Sequence, residues 1–213
     1  QDAPIILDNP VYEELYRPSM PLHPFYTYFD KPFNKERYLY ANPPIHIGPF
    51  SVEANINVLR CPIKVAGTRK LVIPRELGSL LPFIKHCCIY EQTFNPNFEK
   101  LFAHITVDKQ QAKARSTQRV PGFHVDGFQG SKFPEKHEIE HSYLWSSCFG
   151  TEFCVQPFFI NHIDESKYLV FDEMNFQANE DNIVTCLDGN VYLFDPYMVH
   201  RSPEVTRDCE RLI

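Results

Sequence analysis

Residues 121–127 have the sequence PGFHVDG, in which a histidine and an aspartate stand two positions apart. Side chains alternate between the two faces of an extended chain, so His124 and Asp126 are expected to point in the same direction. Gly127 allows the backbone to turn away directly afterwards. Two such side chains supply two of the three ligands of a common type of metal site, and His200 is the candidate for the third.

The composition is that of a globular protein with a sizeable core. Of the 213 residues, 43% are hydrophobic and 23% are charged, which suits a single domain spanning residues 1–213. We expect residues 1–97 to form an N-terminal covering segment with strands and a helix, and residues 98–213 to form the core that carries the metal site. The formal net charge of -6 argues against non-specific binding to nucleic acid or anionic membranes, but it leaves a local basic patch open.

Cysteine usage and apolar run lengths bear on the cellular compartment. The seven cysteines are an odd number with no CxxC pair, which favours free thiols in a reducing, intracellular and cytoplasmic setting. A zinc cluster is the alternative, and it lacks the usual spacing. No apolar stretch reaches the length of a membrane span, and no signal peptide is visible, so we expect no membrane association.

Short segments with period-two patterning predict a mainly β fold. The clearest is residues 50–58, where apolar and polar side chains alternate. Further strands are predicted at residues 63–65, 71–73, 101–108, 139–148, 151–160, 168–171, 183–187, 191–195 and 209–213. Helices are expected at residues 9–16 and 75–90, the second interrupted or restarted at Pro82. Many short strands separated by turns are typical of sandwiches and barrels, including double-sheet jelly rolls.

The three candidate ligands match a donor set that is diagnostic among metal sites. Two histidines and one carboxylate on one side of an ion leave the other side open, which is typical of non-haem iron(II) oxygenases. Two plainer interpretations compete with this one. An HxD pair is common in polar loops that cap turns, and His200 could be a hydrogen-bonded histidine at a strand end.

The end of the chain contributes a second feature. In residues 206–213, alternation places Arg207, Cys209, Arg211 and Ile213 on one face. Cysteine and isoleucine favour the interior, so an arginine is expected to share an inward face, where its charge needs a partner. A dicarboxylate held by the guanidinium fork would be such a partner, whereas arginines at a rim would be solvated.

Taken with the arginine, this pattern resembles the iron(II)/2-oxoglutarate-dependent dioxygenases. The similarity covers residues 98–213: HxD at 124–126, then His200 after the apolar segment 191–195, then Arg211 in a closing strand. The resemblance implies a mainly β fold, a double-stranded β-helix (jelly roll, cupin-like) with flanking helices. It implies that the metal lies at the open end of this barrel.

The same resemblance implies the cofactors and the reaction. Fe(II) would be held by the three candidate ligands, and 2-oxoglutarate would chelate it through its 2-oxo acid end. The far carboxylate of 2-oxoglutarate would meet Arg211, with Arg207 as the alternative anchor and Tyr143 as a further donor. With O2 as oxidant, the enzyme would hydroxylate a substrate, or demethylate it by hydroxylation, and release succinate and CO2.

Two other functions stay open from the sequence. One is a cupin-like protein that binds a ligand without redox chemistry, and the other is a jelly-roll metalloenzyme that does not use 2-oxoglutarate. The acidic charge favours a small molecule, an amino acid or a protein side chain as substrate, leaves nucleic acid open, and says nothing of oligomeric state. Residues 128–137 are a candidate lid, and Arg119 is expected to face substrate or solvent. A flat ligand could lie in a groove lined by Tyr26, Tyr28, Tyr38 and Tyr40.

Overall fold

Short antiparallel strands dominate the structure, a computed structural model that describes residues 3–9, 32–128, 130–134 and 139–213. The chain is mainly β with few helices, as its patterning predicts. Three predictions concern residues that lie wholly or partly outside the described ranges: the helix at 9–16, the lid at 128–137, and the part of the tyrosine groove formed by Tyr26 and Tyr28.

The regular elements of the described residues are mostly three to seven residues long. The strands are β1 (Ile5–Leu7), β2 (Ile45–Pro49), β3 (Val58–Lys64), β4 (Leu71–Ile73), β5 (Ala103–Val107), β6 (Lys109–Ala112), β7 (Ser142–Trp145), β8 (Glu152–Cys154), β9 (Ile183–Thr185), β10 (Asn190–Phe194), β11 (His200–Arg201) and β12 (Cys209–Leu212). The α-helices are α1 (Leu81–Phe94) and α2 (Val170–Gln177). Short 3-10 helices include Lys35–Leu39, Arg75–Leu80 and Glu180–Asn182.

The chain divides into two compact units, and the first comprises residues 1–31 and 51–109. Its sheet has the order β1-β4-β3-β5, with antiparallel pairing. The helix predicted from residue 75 is present as the 3-10 helix Arg75–Leu80 followed by α1. Pro82 lies in the first turn of α1, where the missing N–H costs nothing because that group would have no helical partner.

The second unit comprises residues 32–50 and 110–213, and it holds all three candidate ligands. Its described part has three small sheets, with the orders β2-β10-β7, β11-β8-β9 and β12-β6. The core of this unit is an aromatic and aliphatic cluster that includes Phe123 and Val125. Because these two residues point into the core, His124 between them points to the opposite face. The prediction of a single domain over residues 1–213 stays a prediction.

The strand predicted at residues 50–58 is wrong, since the residues between β2 and β3 belong to no strand. Burial nevertheless alternates there: Ala54 is buried and Glu53 is exposed. An extended segment that packs on one side shows period two whether or not it has a ladder partner. At its end, the side-chain amide of Asn57 takes the place of a ladder by bonding to the backbone N–H of Lys109 at 2.6 Å and its carbonyl at 3.3 Å.

The strand predicted at residues 168–171 is also wrong, because α2 begins at Val170. Val170 and Met174, one helical turn apart, are both fully buried. A short apolar run does not distinguish a strand from a helix, and the helical period appears only when Met174 is included. β4 has the predicted bounds of 71–73, and most of the remaining strand predictions are confirmed with shifted ends. The predictions at 139–148 and 151–160 are confirmed only in part, because β7 and β8 cover Ser142–Trp145 and Glu152–Cys154.

Candidate metal centre

Backbone hydrogen bonds hold the two histidine candidates side by side. The N–H of His124 donates to the carbonyl of His200, and the N–H of His200 donates to the carbonyl of His124, both at 2.9 Å. This antiparallel bridge lies outside the named strand pairs. His200 is also paired with Phe153, because β11 and β8 are neighbours. The two imidazole rings lie 4.6 Å apart between centroids, so one backbone pair sets their spacing.

Asp126 brings a carboxylate to the same point. Its Oδ1 lies 4.0 Å from Nε2 of His124 and 3.6 Å from Nε2 of His200. Bonds of about 2.1 Å to a common ion put donor atoms no more than about 4.2 Å apart, and both distances meet that limit. One ligand atom from each of the three residues lies within 4.8 Å of the others. After Asp126, Gly127 adopts a φ of +86°, which a glycine accepts without strain.

Each imidazole is oriented by a local hydrogen bond to the carbonyl two residues earlier. Nδ1 of His124 lies 3.0 Å from the carbonyl oxygen of Gly122, and Nδ1 of His200 lies 2.9 Å from that of Met198. A carbonyl oxygen only accepts, so each Nδ1 carries the proton. Nε2 is then left as the metal-binding atom in the neutral ring. Such outer partners fix the tautomer and the ring angle of metal-binding histidines.

The charges at the site follow from burial and from the neighbours. Burial and the adjacent His200 lower the pKa of His124. Burial alone would lower the pKa of His200, but the Asp126 carboxylate raises it above the ordinary value of 6.5. Burial would raise the pKa of Asp126, yet the two imidazoles, His200 foremost, hold it below its usual 3.8. Asp126 is therefore an anion at neutral pH.

The centre opens to solvent on the carboxylate side. The Asp126 side chain is 44% exposed, whereas the His200 side chain is 8% exposed. Arg119 is exposed, as one of its two sequence interpretations requires, and its charge contributes to lowering the pKa of both His124 and Asp126. A ligand that approaches the metal ligands from solvent thus meets Asp126 first.

Asn175 in α2 supports the site, and no sequence pattern indicates it. Its Oδ1 accepts from the N–H of Phe123 at 2.7 Å, and its Nδ2 donates to the carbonyl of the same residue at 2.8 Å. The side-chain amide therefore pairs with the Phe123 backbone as a neighbouring strand would, directly before His124. A Cβ at Gly122 would lie 3.2 Å from Oδ1 of Asn175, so a glycine there permits this close approach. The partners lie 52 residues apart, which explains why the pairing cannot be read from sequence.

Arg201 directly follows His200, and its side chain links this part of the chain to neighbouring elements. Its guanidinium forms ion pairs with Glu152 at 2.9 Å and with Glu180 at 2.7 Å. It also lies over the ring of Phe123, 4.4 Å from the centroid, which is cation–π geometry. The residue after His200 and the residue before His124 are thus joined by one side chain. This contact adds to the backbone bridge between the two ligands.

Aromatic rings flank the centre on the α2 side. The ring of Phe171 lies 6.1 Å from that of His124, edge to face. Phe128 stacks on Phe171 at 5.6 Å, and Phe33 packs edge to face against Phe128 at 6.1 Å. All three are partly buried against the core cluster. They give this side of the site an apolar wall.

Arg211 is fully buried, which confirms its predicted inward orientation. Its Nε donates to the carbonyl of Cys148 at 2.9 Å, its Nη2 to the carbonyl of Phe149 at 2.6 Å, and its Nη1 to Oε1 of Gln118 at 3.3 Å. Protein acceptors therefore account for the buried guanidinium without a dicarboxylate. Arg207 is exposed, ahead of β12, with its guanidinium 5.8 Å from the Phe149 ring centroid.

Tyr143 lies on β7, opposite Leu193 of β10, and is half-buried. Cosubstrate binding by Tyr143 or by either arginine stays a prediction, whereas the convergence of His124, Asp126 and His200 is a feature of the structure.

The donor set fits a divalent transition-metal ion, because two neutral imidazole nitrogens and one anionic oxygen suit iron(II) or manganese(II). Among the described residues, neither α-helix combines the length and the apolar character needed to cross a lipid bilayer. Comparison of this chain with protein-family models, with curated proteins and with solved structures found no match, so the interpretation of the centre rests on its own geometry.

Proposed function

We propose that this chain is an Fe(II)- and 2-oxoglutarate-dependent oxygenase that hydroxylates a substrate, or demethylates it by hydroxylation, with release of succinate and CO2. The observation that supports the proposal is the meeting of His124, Asp126 and His200 at one point, with both Nε2 atoms and a carboxylate oxygen available. Three protein ligands leave coordination positions of the metal open toward solvent, and a cosubstrate and O2 require such positions. The proposed substrate is a small molecule, an amino acid or a protein side chain.

The chain's own residues position the reactants. His124, Asp126 and His200 would hold the iron, and the carbonyls of Gly122 and Met198 fix the tautomer and the angle of the two imidazoles. When bound, iron and 2-oxoglutarate supply the oxidising chemistry with O2. The apolar wall of Phe171, Phe128 and Phe33 excludes water from one side of the centre.

The finer fold assignment, a double-stranded β-helix, is part of the proposal. Eight strands of the described residues lie in the second unit, counting β6, and a jelly roll has eight strands in two sheets. The antiparallel pairing of β2, β10 and β7 and of β11, β8 and β9 is compatible with two facing sheets. The proposed fold would have the metal at its open end, and His200, which is bridged to His124, is the first residue of β11.

A second candidate is a metalloenzyme of the same fold that does not use 2-oxoglutarate. The observation that favours it is the set of protein acceptors around Arg211, because a guanidinium bonded to Cys148, Phe149 and Gln118 needs no cosubstrate to explain its burial. A ligand-binding protein without redox chemistry remains the third reading. Metal binding is common to the first two, so the decisive measurement concerns 2-oxoglutarate.

The metal proposal is tested by anaerobic titration of the purified chain with Fe(II), using Co(II) as a coloured substitute. We expect one ion per chain in the wild type and at least a 100-fold loss of affinity in His200→Ala and in Asp126→Ala. His162→Ala is the matched control, since His162 is an exposed histidine of the same unit and should bind metal normally. Undiminished binding in His200→Ala would overturn the proposed centre.

The cosubstrate proposal is tested by adding 2-oxoglutarate to the loaded protein and measuring succinate release. We expect succinate formation that depends on both iron and O2, even without substrate. Arg211→Lys loses the guanidinium fork and should weaken 2-oxoglutarate binding at least 10-fold while leaving metal affinity within a factor of about 3. Arg207→Lys tests the alternative anchor, and a loss of 2-oxoglutarate binding in that variant instead would assign the carboxylate to the exposed arginine. Metal binding without any effect of 2-oxoglutarate would favour the second candidate.

A further inference from the structure

Two cysteines of the second unit lie next to each other in space although they are far apart in sequence. The Sγ atoms of Cys148 and Cys209 are 3.9 Å apart, at a sequence separation of 61 residues. Both thiols are free and partly exposed. By contrast, Cys88, Cys154 and Cys186 are buried, out of reach of a soluble oxidant. The pair is therefore close together and also accessible.

The backbone on both sides of this pair is held in place. The N–H of Ser147 donates to the carbonyl of Leu212, and the N–H of Leu212 donates to Oγ of Ser147, both at 2.9 Å. Nε of Arg211 donates to the carbonyl of Cys148 at 2.9 Å. Residues 147–149 are thus joined by hydrogen bonds to Arg211 and Leu212 of β12, close to both thiols. The folded chain keeps the two sulfur atoms at a high effective concentration.

A disulfide between these residues needs only a small movement. The sulfur atoms must approach from 3.9 Å to about 2.05 Å. Sγ of Cys148 also lies 3.7 Å from the carbonyl oxygen of Glu210, so it already points along β12 toward Cys209.

We propose that Cys148 and Cys209 form an oxidation site that closes reversibly to an intramolecular disulfide. With a peroxide as oxidant, one thiol attacks an oxygen of hydrogen peroxide, releases one water and becomes a sulfenic acid. The second sulfur attacks that sulfur, forms the S–S bond and releases the second water. The two thiols lose two hydrogens and two electrons, and the peroxide is reduced to two waters. A dithiol reductant returns both residues to thiols.

Both thiols are partly exposed, so either sulfur can make the first attack and the other then resolves the sulfenic acid. The disulfide then closes a loop that contains α2, β8 to β11 and His200. This site is independent of the metal and cosubstrate proposals.

The test is mass spectrometry of the full chain after brief treatment with hydrogen peroxide, followed by unfolding and alkylation with iodoacetamide. We expect two of the seven thiols to escape alkylation, a single peptide pair linking Cys148 to Cys209, and full alkylation after dithiothreitol. A higher melting temperature of the oxidised form should accompany the cross-link. Cys61→Ser is the matched control, since Cys61 is also partly exposed but lies in the other unit, and it should leave the result unchanged.

Single variants remove the resolving partner. In Cys209→Ser and in Cys148→Ser, oxidation should stop at a sulfenic acid on the remaining cysteine, which a sulfenic-acid reagent captures. Complete alkylation of the peroxide-treated wild type would overturn the proposal. So would separate irreversible oxidation of each thiol, or a cross-link between two chains on a non-reducing gel. The wild-type measurement decides the question even if a serine variant does not fold.

Discussion

The side chain of Asn175 supports the metal centre indirectly, through its hydrogen bonds to the backbone of Phe123. Asn175→Ala removes both hydrogen bonds to the backbone of Phe123, so His124 loses the support that fixes its position. We expect metal affinity to fall about 10-fold. Isothermal titration with Mn(II) would measure it, and the loss should exceed any change explained by unfolding. Phe176→Ala is the control, because Phe176 on the same helix is 85% exposed; an equal loss in both variants would contradict a positioning role.

Asp195 makes stability depend on pH. Burial raises the pKa of this carboxyl from 3.8 to about 6. The folded chain therefore keeps a proton that the unfolded chain loses over this interval. The resulting stabilisation is present below about pH 3.8 and is lost as the pH rises to about 6, a change of about 3 kcal/mol in the free energy of unfolding.

Asp195→Asn tests this dependence while keeping an Oδ1 that can accept from the N–H of Tyr197, as the carboxylate does at 2.9 Å. Relative to wild type, the variant should gain about 3 kcal/mol between pH 4 and pH 7. Urea unfolding at several pH values would measure the difference. Parallel stability profiles for the two proteins would show that Asp195 ionises normally.

At this scale, the sequence identifies residues whose role depends on local spacing. His124 and Asp126 are recognisable because alternation places i and i+2 on one face. The inward position of Arg211 follows from the same rule. Asn175 and Arg201 are not recognisable, because their partners come from distant parts of the chain and only the folded backbone brings them together.

Among the elements, the junction of β8 with β9 depends on a glycine. A Cβ at Gly150 would overlap the carbonyl oxygen of Cys186 and lie 2.8 Å from its carbonyl carbon. Backbone atoms cannot move aside easily, and the N–H of Cys186 is already bonded to Thr151 at 2.9 Å. We expect Gly150→Ala to cost about 3 kcal/mol in the free energy of unfolding, measured by denaturant titration.

Gly78→Ala provides the matched control for that substitution. A Cβ at Gly78 would meet Cδ1 of Ile5 at 3.6 Å, an ordinary van der Waals contact. Its stability should stay within about 1 kcal/mol of wild type, since a glycine with an ordinary backbone tolerates alanine. If Gly150→Ala were equally mild, β8 and β9 would have to separate more readily than their packing indicates.

A strand can be predicted where the pattern of apolar residues within the segment is sufficient. The prediction fails where the element also depends on a neighbour in the folded chain. β4, β9, β10 and β12 follow from apolar runs between turn residues. Residues 50–57 have the period of a strand but no ladder. The predicted strand at 168–171 runs into α2, whose second buried residue, Met174, lies beyond the apolar run. Periodicity reports the exposure of a segment, whereas a strand assignment also requires a neighbour.

For the molecule as a whole, the sequence does not reveal which distant strands are partners. β2 lies in the first quarter of the chain, yet it pairs with β10, with Ile45 opposite Leu193. Residues 32–50 consequently belong to the same unit as residues 110–213. This pairing depends on tertiary structure and leaves no local signal, so the expected division at residue 98 could not anticipate it.

Metal binding should stabilise the whole chain if the proposed centre is correct. An ion that binds only the folded protein, at about 100 times its dissociation constant, adds about 2.7 kcal/mol to the free energy of unfolding. For a chain of this length, that corresponds to a rise of about 5 °C or more in melting temperature. Differential scanning fluorimetry with Mn(II) would detect it. Asp126→Ala should show no rise, and a similar rise in that variant would place the ion elsewhere.

The paired backbone bonds between His124 and His200 also make these two residues a reporter of local opening. Each amide proton is held by the carbonyl of the other residue, so neither can exchange with deuterium unless the bridge breaks, and one opening releases both. Their protection factors against exchange, measured by nuclear magnetic resonance, should therefore be equal, and both exchange rates should fall together as an ion binds. The exchange of two amides 76 positions apart would then report the same local opening of the centre.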